Sequence, residues 1–244
     1  MNKFIISYVS GPYLGKKSKI ETQMRDCGWF DVFKVYTPSD LDKNFTTQFS
    51  NILSCGRGGG YWCWKPYIIR KTLHDMADGD ILVYMDGGCT IHNSEPAKAR
   101  LDEYINTLEQ SGKGILRFLI PPFTELEYTT SHMLNYFKNN YSLDISENNL
   151  IHIMATVIIM KKTPDTITFF DEAIKIITLD PNIITDHYNQ INPNPEFKDH
   201  RHDQSLLSLL CKSTNSSIII PDDTWYEDFS MIDNIPILAT RKNI

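Results

Sequence analysis

Four groups of residues in this sequence have the types and spacing to do chemistry. Asp86-Gly87-Gly88 stands at the end of the apolar run Ile81 to Met85. A carboxylate there can hold a divalent cation or a ligand hydroxyl, and the glycines let a ligand approach the backbone. Upstream, Arg57 and Lys65 flank Gly58-Gly59-Gly60 and the aromatic residues Tyr61, Trp62 and Trp64. Two cations so placed can neutralise phosphate, arginine as a bidentate fork and lysine as a point charge. The aromatic residues read first as packing around a helix start. Downstream, His200-Arg201-His202-Asp203-Gln204-Ser205 leads into an apolar helix from Gln204 to about Cys211. Asp203 can cap that helix or take a proton from an attacking hydroxyl, with His202 and Gln204 beside it. The fourth group, Asp222-Asp223-Thr224-Trp225-Tyr226, sets carboxylates beside aromatic faces. That suits a pyranose ring, and equally a surface loop anchored by Trp225.

These groups need a scaffold. Lys3 to Ser10 reads as a buried strand stopped by Gly11-Pro12, and Phe30 to Thr37 as a second strand. Between them, Ser18 to Asp26 carries helical spacing through Ile20 and Met24. Asn44 to Leu53 and Lys65 to Met76 read as helices, Ile81 to Met85 as a strand and Pro96 to Leu108 as an amphipathic helix. A strand within Gly112 to Leu119 ends at Pro121-Pro122, and Thr124 to Asn140 is mostly helical. Leu150 to Lys161 reads as a strand pair or one bent strand, Pro164 to Thr178 as a helix, Asp180 to Pro195 as loop and Ile218 to Ile220 as a short strand. Alternating strands and helices argue for parallel βαβ units. Ligands in such sheets sit outside the carboxyl ends of the strands, which places Ser10, Thr37 and Asp86 at one edge.

Composition narrows the classes. The 244 residues are 41% hydrophobic and 22% charged, with a net charge of -6. That acidic balance argues against a nucleic-acid partner. The five cysteines show no CxxC spacing and read as reduced thiols. No HExxH occurs, nor a GxxxxGK[ST] phosphate loop or a dinucleotide fingerprint. The apolar N-terminal run is too short for a signal peptide, and no run is long enough to span a bilayer. The expected location is the cytoplasm, or the host cytoplasm for a viral protein. Arg241 and Lys242 offer two further cations near the end of the chain.

The ordered words RGGGYW, WKPYII and GDILVYMDGG, followed far downstream by HRHDQS, resemble small viral and bacterial glycosyltransferases of the GT-A type that use nucleotide sugars. The resemblance covers about residues 3 to 210. It implies a GT-A-like (Rossmann-like) α/β fold: a mixed, mostly parallel sheet flanked by helices. It implies one domain over 1–244, with a donor half near 1–120 and an acceptor half near 121–244. The implied reaction moves a sugar, from a UDP-sugar in this reading, to a glycan or other hydroxyl. Val9, Ser10, Thr37, Arg57, Lys65, Asp86, Gly87 and Gly88 would meet the donor. His202, Gln204, Asp223 and Trp225 would meet the acceptor, and Asp203 would be the catalytic base. Such enzymes hold Mn2+ or Mg2+ through a DxD motif. Gly88 stands at its second acid, so His202 is the implied partner of Asp86 in holding the ion. Two alternatives stay open at this level. An acidic glycine-rich turn after a strand also occurs in S-adenosylmethionine-dependent methyltransferases, and Gly88 fits a non-catalytic sugar-binding protein on the same fold.

Overall fold

The computed structural model describes residues 1–144, 151–230 and 232–240. In its first half, strands β1 (Lys3–Tyr8), β2 (Val32–Tyr36), β3 (Ile81–Met85) and β4 (Thr90–Ile91) alternate with helices α1 (Lys17–Asp26), α2 (Lys43–Gln48), α3 (Ser50–Leu53), α4 (Gly58–Tyr61), α5 (Trp64–Asp75) and α6 (Glu95–Ser111). The second half holds β5 (Ile115–Thr124), α7 (Glu125–Tyr128), α8 (Ser131–Tyr141), β6 (Ile151–Ile153), β7 (Val157–Lys161), α9 (Pro164–Leu179), α10 (Asp203–Thr214), β8 (Ser217–Pro221) and β9 (Ile237–Leu238). Leu150, Arg241 and Lys242 lie outside the described residues.

Strands β1 to β3 and β5 to β8 form one sheet. β1 pairs in parallel with β2 and β3, and β5 in parallel with β8. β7 runs antiparallel to both β3 and β5, and β6 antiparallel to β5. Five strands therefore point one way, with β6 and β7 opposed: the sheet is mixed and mostly parallel. β6 and β7 take the same edge of β5, because β8 occupies its other edge. They are the bent strand expected from the apolar run, and the bend between them is Met154 to Thr156. β4 and β9 form a separate two-stranded ladder.

Side-chain alternation explains the two cores. Ile6, Tyr8, Leu82 and Tyr84 face one layer with α5, α8, α9 and α10. Ile5, Ile81, Val83 and Met85 face the other, with α1 and α6. All five residues of β3 are fully buried, as a central strand covered on both faces requires. β5 differs from expectation by running past Pro121-Pro122 to Thr124. Its register against β6 shifts between Leu119 and Thr124, and an irregular stretch tolerates prolines, which lack the ladder N–H. The stretch from 180 to 195 holds two short 3-10 turns, Pro181–Ile184 and Asp186–Tyr188. Among the described residues, no helix is long and apolar enough to cross a membrane.

Candidate functional site

The carboxyl ends of β1, β2 and β3 open onto a cleft of about 790 Å³. Ser10, Pro38 and Asp86-Gly87-Gly88 line it at those ends, with Tyr8, Tyr13, Trp62 and Trp64 as aromatic walls. Tyr8 stacks on Trp64 with ring centroids 3.8 Å apart. Among the described residues that line the cleft, Asp86 alone carries a charge.

The glycine triplet shapes one wall. From Gly58 to Trp62, five successive residues have positive φ, a conformation that glycine adopts freely and that costs Tyr61 and Trp62 about 1 kcal/mol each or more. A Cβ on Gly59 would stand 2.2 Å from Ser10 Oγ, so this turn lies directly on the end of β1. The turn sends the chain into α5, whose first turn carries Lys65.

Lys65 is 2% exposed. Its ammonium lies 3.1 Å from Asp86 Oδ1, contacts Asp203 Oδ2, and donates to Ala155 O at 3.1 Å. The Tyr84 hydroxyl also donates to Asp86 Oδ1, at 2.6 Å. Helix α5, the end of β3, the β6–β7 bend and the start of α10 thus converge on one nitrogen. Burial alone would favour a neutral amine, but Asp203 and Asp86 outweigh it and raise the Lys65 pKa. Asp203 is pushed up to about 6, mainly by burial and further by Asp86, while Lys65 pulls it down.

The HRHDQS segment is anchored by its two histidines. His200 Nε2 donates to Ile183 O at 3.1 Å, and His202 Nδ1 to Ile184 O at 2.9 Å; a carbonyl only accepts, which fixes both tautomers. Burial, helped by the neighbouring His202, lowers His200 to about 3, and burial and Arg57 lower His202 to about 4. Both rings are neutral near pH 7. His202, at φ 51°, is the residue before α10 and stacks on Trp62. Asp203 is therefore the first helical residue rather than the cap.

The other expected site residues fall in several places. Val9 is buried and donates its N–H to Tyr36 O. Thr37 caps the turn Pro38–Asp40 beside the cleft. Arg57 forks onto Asp186 at 3.0 Å and Asp199 at 2.7 Å, tying the 180–200 segment to the glycine turn. Gln204 turns inward, to His152 and to the Ala155 N–H. Asp223 accepts from Arg100 and Tyr104 in a second recess lined by α6 and the end of β8. Trp225 is half exposed. Three buried groups escaped the sequence reading: Glu125, His152 and Arg117. The signal for the last two was a polar residue inside an apolar strand.

No protein-family model matches the chain, and a search of curated proteins gives no significant match. Solved structures do. A glycosyltransferase involved in the glycosylation of the major capsid of PBCV-1 is 9% identical with a TM-score of 0.50, over 98% of this chain and 94% of that chain. Mouse xyloside xylosyltransferase 1 in its apo form is 11% identical with a TM-score of 0.47, over 92% and 87%. An active-site mutant of LgtC is 11% identical with a TM-score of 0.48, over 96% and 86%. The chain has the GT-A glycosyltransferase fold.

Proposed function

We propose that this protein transfers a sugar from a nucleotide-sugar donor, a UDP-sugar in our reading, to a hydroxyl acceptor. The observation that carries the proposal is the Lys65 ammonium, buried between Asp86 and Asp203 where the parallel strands open onto the cleft. The aromatic walls suit the flat base and the glycine-lined edge suits the diphosphate and sugar. In the proposed step the acceptor oxygen attacks the anomeric carbon. The bond from that carbon to the diphosphate oxygen breaks, the nucleoside diphosphate leaves, and the acceptor proton passes to Asp203. A carboxyl near 6 is matched to that task at neutral pH.

A divalent ion belongs to the proposal. The contacts to Asp86 both use Oδ1. His202 holds its Nδ1–H on a backbone carbonyl, and its buried Nε2 has no hydrogen-bond partner, the arrangement of a histidine ready to ligate. Among the described residues no three His, Cys, Asp or Glu side chains form a metal cluster. In this reading Asp86 and His202 would hold Mn2+ or Mg2+, with the donor supplying further oxygens. The ion would offset diphosphate charge, which the cleft lining does not. Arg57 could join only by leaving Asp186 and Asp199.

A cleft whose described lining carries no charge besides Asp86 also favours a second reading, a binding protein for a neutral carbohydrate. Calorimetry with UDP and metal against a panel of neutral oligosaccharides separates the two. Metal-dependent UDP binding supports transfer; oligosaccharide binding with no response to UDP refutes it.

A further inference from the structure

The bend between β6 and β7 is held by buried side chains. Ile153 N–H donates to Ser208 Oγ at 2.9 Å, and Arg117 donates twice to Met154 O, at 2.8 and 3.1 Å. Ala155 N–H donates to Gln204 Oε1 at 3.3 Å, and Ala155 O accepts from Lys65 at 3.1 Å. One residue further, Thr156 O accepts from the N–H of Asp86 at 2.9 Å. The bend therefore touches both Lys65 and Asp86.

Behind it lies a polar chain with a fixed direction. Glu125, 1% exposed, accepts from Thr129 Oγ1 at 2.6 Å, Ser208 Oγ at 2.5 Å and Lys212 Nζ at 2.6 Å. Its other close partner is His152 Nε2, at 3.0 Å. Burial would raise this carboxyl, but His152 and Lys212 overcome that and hold it at about 2. An ionised carboxylate only accepts, so His152 Nε2 carries the hydrogen. The Gln204 NH2 faces His152 Nδ1 at 2.9 Å, so that nitrogen accepts. The amide oxygen is left facing Ala155 N–H. A hydrogen on His152 Nδ1 would demand the opposite amide orientation and set NH2 against N–H.

We infer that Glu125, His152 and Gln204 are positioning residues, which fix the Met154–Ala155 peptide through the Ala155 N–H so that the Ala155 carbonyl, in the next peptide, holds Lys65 between Asp86 and Asp203. The inference rests on the functional reading of that cluster, but the geometry is tested without turnover. Amide hydrogen exchange at Ala155, followed by NMR on protein labelled at alanine nitrogen, is compared in wild type, His152→Leu, Gln204→Met and His152→Gln. Glutamine can donate to Glu125 and accept from Gln204 as the imidazole does. Exchange at Ala155 should quicken about tenfold or more in the two apolar variants and stay near wild type in His152→Gln. In the same variants kcat should fall about tenfold with donor KM within about twofold, and His152→Gln should restore it. Unchanged Ala155 protection in both apolar variants overturns the inference. Quickened exchange with no transfer activity in the wild type counts against the functional reading and leaves the positioning role standing. Should the apolar variants fail to fold, His152→Gln against the shorter His152→Asn carries the test, and equal protection in the two overturns it.

Discussion

Lys65 and Asp86 stand 21 positions apart in sequence and 3.1 Å apart in space, with the lysine 2% exposed and the aspartate facing the cleft. The pair joins the first turn of one helix to the end of the central strand. Its third member, Asp203, comes from the far end of the chain. Three residues singled out for their chemistry thus share one contact.

Removing the cation should be costly. Lys65→Met leaves the buried Asp203 carboxylate without its counter-ion beside the partly exposed Asp86, and breaking a buried ion pair typically costs about 3–5 kcal/mol. Urea unfolding should show that loss in Lys65→Met, and the double variant Lys65→Met/Asp203→Asn should recover part of it. Equal stabilities for wild type and Lys65→Met would remove the ion cluster from the account.

Gly59→Ala should damage the cleft directly. Alanine at φ +59° is strained, and its Cβ would overlap Ser10 Oγ. A loss of about 1–3 kcal/mol is expected, with weakened ligand binding because Ser10 lines the cleft. Gly79→Ala serves as a control: its φ is also positive, at +88°, but its Cβ meets nothing within 4 Å. Gly79→Ala should leave binding unchanged. Equal binding in both variants would contradict the close approach.

Acid stability follows from Glu125. Its native value, about 2, lies below the unfolded 4.5. Its contribution is thus fully present above about pH 4.5 and is lost as pH falls toward 2. The shift corresponds to something on the order of 3 kcal/mol. Unfolding free energy measured from pH 7 to 2 should fall less steeply below pH 4.5 in Glu125→Gln than in wild type. Parallel curves would refute the assignment.

Much of the scaffold was legible in the sequence. β3 was bounded correctly because five apolar residues lie between an Asp-Gly-Asp turn and Asp86-Gly87-Gly88. Helix α9 was legible from its spacing and from Pro164 at its start. The bend at Met154 to Thr156 was half legible, since His152 and Thr156 interrupt an apolar run. Partner choice was not. The sequence points Lys65 toward phosphate, yet its contacts in the fold are two carboxylates and a carbonyl, brought together by strand order rather than by spacing. Asp223 has the right chemistry for an acceptor, but α6 supplies Arg100 and Tyr104 to hold it elsewhere. Glu125 opened a segment read as an ordinary helix. Nothing local shows that β6 and α10 would bury it.

The central claim is that Asp86 belongs to a donor site. Isothermal calorimetry of UDP with Mn2+ against wild type and Asp86→Asn tests it most directly, with circular dichroism to confirm that the variant is folded. Measurable binding to wild type and at least a tenfold loss, about 1.4 kcal/mol, in Asp86→Asn are expected. Equal affinity in the two folded proteins would contradict the claim.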